Sequence, residues 1–288
     1  MSVLADKSVA VVGAGMMGAE IALCFAAAGC QVVMADISLE LATQGKARQA
    51  DVLQKRIEKG KAEASDKEET LSRVTATGQL ADLAACDLVI EAVVEDEAVK
   101  TSLFTSLDSL CGEECVFASN TSTIAITKLA SAVSMRRAER LVGAHFFSPA
   151  MVMKLVEVIP GYLSTDETVE FVKGVVEAIG KSPVVVKDVT GFAVNRMLHA
   201  FTLEACRLLE EGVASAEDID RACVLGLGHP IGPLRLLDLL GHDLNIKVDE
   251  LLFAEYGERF RPSQLMRRLV DAGLCGKKSG EGFHKYSA

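Results

Sequence analysis

No tryptophan occurs among the 288 residues, and no stretch is both long and uniformly apolar. The nearest approach to a membrane span, from Val9 to Ala35, carries Glu20 and several glycines. It resolves into strand, turn, helix and second strand, so neither a transmembrane nor a secretory segment is read in it. An excess of basic charge is missing as well: 30 Lys and Arg against 40 Asp and Glu give a net charge of −10, which argues against nucleic acid or an anionic membrane as partner. Cys111 and Cys115 have no second Cys/His pair nearby, so no zinc site is expected. With no secretory signal ahead of them, the eight cysteines are expected to be reduced thiols in the cytoplasm. No internal repeat or low-complexity tract interrupts the chain.

What is present fits a globular enzyme: half the residues are hydrophobic and 24% are charged. The length exceeds that at which one core usually keeps growing, so two domains are expected. β-rich runs at Ser8–Val12, Gln31–Ala35, Val74–Thr77, Leu88–Ala92, Val116–Ala118 and Leu141–Phe146 are separated by helix-sized stretches. That alternation predicts a Rossmann-type, doubly wound parallel α/β sheet covered on both faces. Ser164 with Glu167 predicts a capping box for a helix running to Gly180, and Pro183–Val186 a last strand. Beyond Thr190 the alternation gives way to helical spacing, so an α/β domain over 1–187 and an all-α domain over 188–288 are expected.

Gly13, Gly15 and Gly18 form a G-x-G-x-x-G pattern directly after a strand and at the opening of a helix. In that context the pattern predicts a dinucleotide pyrophosphate on the helix N-terminus, with Met16 and Met17 inside the turn. Asp36 ends the second strand, where a carboxylate accepts hydrogen bonds from a ribose and repels a 2′-phosphate. Ile37 and Ser38 supply no cation, so the expected cofactor is NAD rather than NADP.

His145 and Glu157 close a second constellation. Each sits in an apolar strand-like run, and Pro149 breaks the chain between the runs, so adjacent strands would bring the two within hydrogen-bond reach. A base oriented by a carboxylate suits removal of a hydroxyl proton. A buried structural histidine is the other reading of the same residues.

The chain resembles the 3-hydroxyacyl-CoA dehydrogenase family, in particular its short soluble 3-hydroxybutyryl-CoA dehydrogenase-like members. The resemblance is carried by GAGMMG at 13–18, IEAVVED at 90–96, SNTST at 119–123, HFFSP at 145–149 and MKLVEVI at 153–159. DVTGFAVNR at 188–196, GLGHPIGPLRLLD at 226–238 and GKKSGEGFHKY at 276–286 extend it over nearly the whole chain. It implies an NAD-dependent oxidoreductase interconverting L-3-hydroxyacyl-CoA, short-chain and 3-hydroxybutyryl-CoA-like, with 3-oxoacyl-CoA. His145 would be the general base, Glu157 its partner, Ser122 a hydroxyl contact to the reacting oxygen and Asn195 a positioning amide. Glu95, Lys100 and Ser148 fall at cofactor-side positions, and Lys278 contributes from the tail.

Between Lys46 and Lys61 six basic residues face two acidic ones, which makes either a landing surface for coenzyme A phosphates or a solvated helix face. Lys59 best matches the family's CoA-contacting lysine, whereas Val52 replaces a CoA-contacting serine of some relatives. Ser148 stands where Asn is usual, Arg235 where an acidic residue is common, and His242 where the family has an apolar one. These departures keep open a dehydrogenase of a non-CoA 3-hydroxy acid. A non-catalytic NAD-binding structural protein is the alternative from another class, opposed by the intact Ser122, His145, Glu157 and Asn195. The apolar helical tail implies a homodimer.

Overall fold

The computed structural model describes residues 3–4 and 7–286 and divides them into two compact units, Met1–Val189 and Thr190–Ala288. The first unit is built on one sheet. Its strands are β1 (Ser8–Val12), β2 (Gln31–Ala35), β3 (Val74–Thr77), β4 (Leu88–Glu91), β5 (Val116–Ser119), β6 (Leu141–Phe146), β7 (Leu155–Pro160) and β8 (Ser182–Val185). They lie in the order β3-β2-β1-β4-β5-β6-β7-β8, so the chain switches direction across the sheet between β1 and β4. Ligands of open α/β sheets bind outside the carboxyl ends of the strands at such a switch point.

Helices cover the sheet: α1 (Met16–Ala27), α2 (Leu39–Glu58), α3 (Ala64–Ser72), α4 (Glu97–Leu110), α5 (Ile126–Ala130), α6 (Met135–Ala138) and α7 (Asp166–Ala178). Val9, Ala10, Val11 and Val12 of β1 are all buried, as expected of a strand covered on both faces. α1 is apolar nearly all round, and Gly18, Ala19, Ala22 and Ala26 keep its packing surface flat enough for close approach.

The all-parallel expectation fails at one place. β7 runs antiparallel to β6, while β8 returns to parallel beside β7. The segment 147–154 between β6 and β7 has no room for the dozen or more residues that a parallel crossover needs, so the chain can only double back. The cap of α7 also differs: Thr165, not Ser164, accepts the N–H of Thr168. Ser164 is held away, donating to the carbonyl of Leu141 and accepting from the N–H of Gly161. Asp188 sits with the first unit, its carboxylate accepting from the N–H groups of Ile126 and Thr127 at the start of α5.

The second unit is helical, with α8 (Val194–Glu210), α9 (Ala216–Leu227), α10 (Pro233–Leu240), α11 (His242–Tyr256) and α12 (Gln264–Asp271). Ser215 caps α9 by accepting the N–H of Asp218. Two buried carboxylates pin the tail against these helices. Asp238 accepts the N–H groups of Phe283 and His284 and the Tyr286 hydroxyl, each at 2.9 Å, and His242 Nε2 lies 2.8 Å from its Oδ1. Asp220 accepts the first N–H groups of α10, from Leu234 and Arg235, and lies 2.7 Å from His284 Nε2. His242, a departure at the level of sequence, is thus part of the tail anchor.

Burial alone would raise the Asp238 carboxyl, but the His242 contact and the N–H and O–H donors outweigh it and hold the group below the usual carboxylate range. A depressed folded value means that its contribution is complete above about 3.9, the unfolded value, and is lost as pH falls through the folded one. Asp238→Ala, which orphans those donors, is expected to cost about 2–5 kcal/mol. Thermal melts from about pH 6 to pH 3 should show wild type losing stability more steeply than Asp238→Asn. Parallel acid limbs would refute the anchoring role.

Candidate active site

The glycine turn between β1 and α1 is shaped by contact. Gly13 has φ +98°, and a Cβ there would lie 2.5 Å from the carbonyl oxygen of Ala92. A Cβ on Gly18 would fall 1.7 Å from the carbonyl oxygen of Gly13, so only glycine lets α1 start this close to the strand it follows. Gly15 is different, since a Cβ there would meet nothing within 4 Å. It is the N-cap of α1 and offers no side chain to the first-turn N–H groups. Those donors, the positive end of a helix and an open approach suit a pyrophosphate.

Asp36 lies directly after β2 and accepts from Ala14 N–H and Ile37 N–H, both at 2.7 Å. It lines, with Gly13, Ile37, Gly78, Val93 and Val99, a cavity of about 880 Å³ whose other walls come from α4 and the turn after β3. Apolar walls with one carboxylate at the rim suit an adenosine: rings pack between aliphatic side chains and ribose hydroxyls reach Asp36. The residues present therefore fit NAD. Met16 is 67% exposed and Met17 half-buried, both at the start of α1.

His145 and Glu157 face each other directly in the β6–β7 register. His145 Nδ1 lies 2.8 Å from Glu157 Oε2, with both side chains buried. A carboxylate only accepts, so Nδ1 carries the hydrogen, which fixes the tautomer. The Phe147 ring packs 4.4 Å from the imidazole, centroid to centroid.

Glu95 gathers the SNTST turn. Its Oε1 accepts from the Thr121 hydroxyl at 2.6 Å, from Ser122 N–H at 2.9 Å, and from Thr123 N–H and hydroxyl at 3.0 and 2.9 Å. Burial acts to raise Glu95, but Lys100 and these donors overcome it and hold the carboxyl below its usual range. Ser122 Oγ is 3.4 Å from the same oxygen, so the serine is turned by Glu95 and is no helix cap. Asn120 was not foreseen: its Oδ1 accepts the N–H of Phe146 at 2.8 Å, next to His145. Lys100 is 1% exposed and ion-paired to Glu91 at 2.5 Å and to Glu95 at 3.2 Å, so it serves the site from beneath. Ser148 is exposed on the loop after β6.

Two predicted residues belong to the second unit. Asn195 is half-buried in the first turn of α8, a helix preceded by Gly191 and Phe192, both with positive φ. Lys278 pairs with Asp243 at 2.6 Å on the anchored tail. In the first unit, Lys59 ends α2 and is exposed. The basic run around it is partly structural, because Lys46 donates to the carbonyl of Val74 and Arg48 to that of Ala14. Lys55, Lys59 and Lys61 are exposed cations of the run, and Arg48 is exposed beyond its bond to Ala14.

Strand order, glycine turn and the His145–Glu157 pair define a dinucleotide-dependent dehydrogenase with a helical second unit. The chain belongs to the 3-hydroxyacyl-CoA dehydrogenase family: its NAD binding domain matches residues 8–189 and its C-terminal domain residues 191–286. A probable 3-hydroxybutyryl-CoA dehydrogenase of Deinococcus radiodurans is 44% identical over 96% of this chain and 99% of that protein. The human mitochondrial hydroxyacyl-coenzyme A dehydrogenase is 42% identical over 97% of this chain and 91% of its own. The crystal structure of (S)-3-hydroxybutyryl-CoA dehydrogenase from Ralstonia eutropha superposes with a TM-score of 0.93 at 43% identity, covering 98% of this chain and 99% of that one. The cofactor is NAD.

Asp36→Ala combined with Ile37→Arg should move preference toward NADP, by removing a charge that repels the 2′-phosphate and adding one that attracts it. The ratio of kcat/KM for NADPH to that for NADH is expected to rise at least about tenfold, a single charged hydrogen bond being worth ~1.5–3 kcal/mol. A wild-type preference for NADPH would refute the role of Asp36.

Proposed function

We propose that this enzyme interconverts short-chain L-3-hydroxyacyl-CoA and 3-oxoacyl-CoA, and that His145 carries the proton. The observation that carries the reading is the buried Nδ1–Oε2 hydrogen bond between His145 and Glu157. With Nδ1 committed to the carboxylate, the proton exchanged with substrate moves at Nε2. In alcohol oxidation the imidazole takes the C3 hydroxyl proton, and Glu157 stabilises the imidazolium that forms. In the reverse direction the imidazolium returns that proton to the oxygen. Ser122, held by Glu95 through its main-chain N–H, turns its hydroxyl from Glu95 to charge on the reacting oxygen, and Asn195 holds the substrate through its amide. Hydride acceptance and donation are the chemistry that NAD supplies when bound.

The coenzyme A moiety is assigned to the exposed cations at the end of α2, with Lys59 as the principal phosphate contact. Ser148 and Lys278 are assigned to the cofactor side. A homodimer is part of this reading, supported by Met197, Leu225, Leu227 and Leu244, apolar side chains of the second unit that remain more than half exposed. A cytoplasmic location is supported by eight cysteines that are all free thiols. Among the described residues no helix is long and apolar enough to cross a membrane.

His145→Gln is expected to bind NADH as wild type does, by fluorescence titration, while kcat for acetoacetyl-CoA reduction falls about 10²–10⁴-fold, with Glu157→Gln moving the same way. Near-normal turnover in His145→Gln would remove the residue from proton transfer.

Acetoacetyl-CoA should be a far better substrate than free acetoacetate. Lys59→Glu should raise its KM about fivefold at low salt, as fits a surface charge contact of ~1 kcal/mol, leaving KM for NADH nearly unchanged. Equal activity on the free acid would transfer the assignment to a non-CoA hydroxy acid.

A further inference from the structure

Glu91 closes β4, whose other residues are Leu88, Val89 and Ile90, and its side chain is wholly buried. A charge in such a place persists only if its lone pairs are met. Oε1 accepts the Lys100 ammonium at 2.5 Å and the N–H of Val93 at 2.7 Å, and Oε2 accepts the Ser119 hydroxyl at 2.6 Å. Each side-chain partner leads on to the site. Lys100 also reaches Glu95 Oε2 at 3.2 Å, and Ser119 Oγ accepts the N–H of Thr121 at 3.2 Å. The main-chain carbonyl of Glu91 accepts the N–H of Asn120, the residue that holds Phe146 beside His145.

One ammonium therefore serves two carboxylates. The division matters for Glu95, whose other oxygen must remain available to the hydroxyls and N–H groups of Thr121, Ser122 and Thr123. If Glu91 loses its charge, Lys100 has a single counter-ion left and draws Glu95 inward, off those donors. If the Ser119 hydroxyl is lost, Thr121 loses the acceptor that keeps its own hydroxyl on Glu95. Both routes end at the same residues.

We propose that Glu91 is a positioning residue for the reaction: through Lys100 and Ser119 it sets where Glu95 stands and hence how Ser122 is presented. The proposal rests on the reading of Glu95 and Ser122 as cofactor-side and substrate-side contacts, and it adds a residue that touches neither ligand.

The test is a set of substitutions in the full-length protein: Glu91→Gln, Ser119→Ala, Glu95→Gln, and each of the first two combined with the third. Affinity for NADH is read by fluorescence titration, and kcat and KM with acetoacetyl-CoA alongside. Glu91→Gln is expected to weaken NADH binding roughly fivefold or more, as coupled neighbours do, and Ser119→Ala to weaken it by a smaller factor. A residue that acts through Glu95 has nothing further to remove once Glu95 is altered. In the Glu95→Gln background both substitutions should therefore change NADH affinity less than about twofold. Multiplying effects, or wild-type affinity in Glu91→Gln while Glu95→Gln is impaired, overturn the proposal. Should Glu91→Gln fail to fold, the Ser119→Ala cycle decides by the same criterion. Wild-type NADH affinity and turnover in Glu95→Gln alone would instead overturn the reading of Glu95 on which the proposal stands.

Discussion

The pairing of β6 with β7 runs against every other neighbour relation in the sheet, and the His145–Glu157 hydrogen bond exists because of it. In an antiparallel pair the side chains of directly opposed residues share a face, so register alone decides which two meet. A slip of one residue would turn one partner to the opposite face of the sheet. The flanking pairs, Ala144 with Val158 and Phe146 with Val156, are buried and apolar, which fixes the register by hydrophobic burial. The geometry of the pair is thus enforced by strand register, and the two polar side chains need only accept the place they are given.

Charge buried elsewhere is organised differently. Glu91 in the first unit and Asp238 and Asp220 in the second each sit where water cannot reach freely, and each collects donors until its oxygens are satisfied. Such groups are poor sources of net stability but strong sources of specificity, because any displaced partner leaves a charge exposed to a nonpolar surround. Here they lie at junctions: Glu91 between β4, β5 and α4, Asp238 between α10 and the tail that bears Lys278. The apolar core holds the layers together, while these carboxylates set the relative placement of segments that packing alone would leave loosely fixed.

Local patterns were legible in the residues and long-range partnerships were not. The glycine turn reads directly because its three positions, the strand before and the helix after are contiguous. His145 and Glu157 read as neighbours because a proline breaks two apolar runs, yet the reversal of β7 went unseen, since alternation of elements says nothing about a connection too short for a helix. Glu91 is visible as a charge ending an apolar strand. Its partners are nine and twenty-eight positions away, and no spacing rule links them. Ser164 and Thr165 are equally good caps by composition. The choice between them was made by the carbonyl of Leu141, which claims the serine. In the basic run, sequence could count cations but not see that Lys46 and Arg48 spend their donors on main-chain carbonyls.

The long reach of the Asp238 contacts bears on how the chain is made. Its donors lie 45, 46 and 48 positions downstream, whereas the sheet of the first unit is complete by Val185. During synthesis the first unit has all its strands before any residue of α8 exists, and can fold as domains do, N-terminal first. The second unit has no such freedom. Until residues 281–286 have been added, a carboxylate destined for its interior has His242 and water alone beside it, so α10 and α11 wait for a segment the ribosome has yet to deliver.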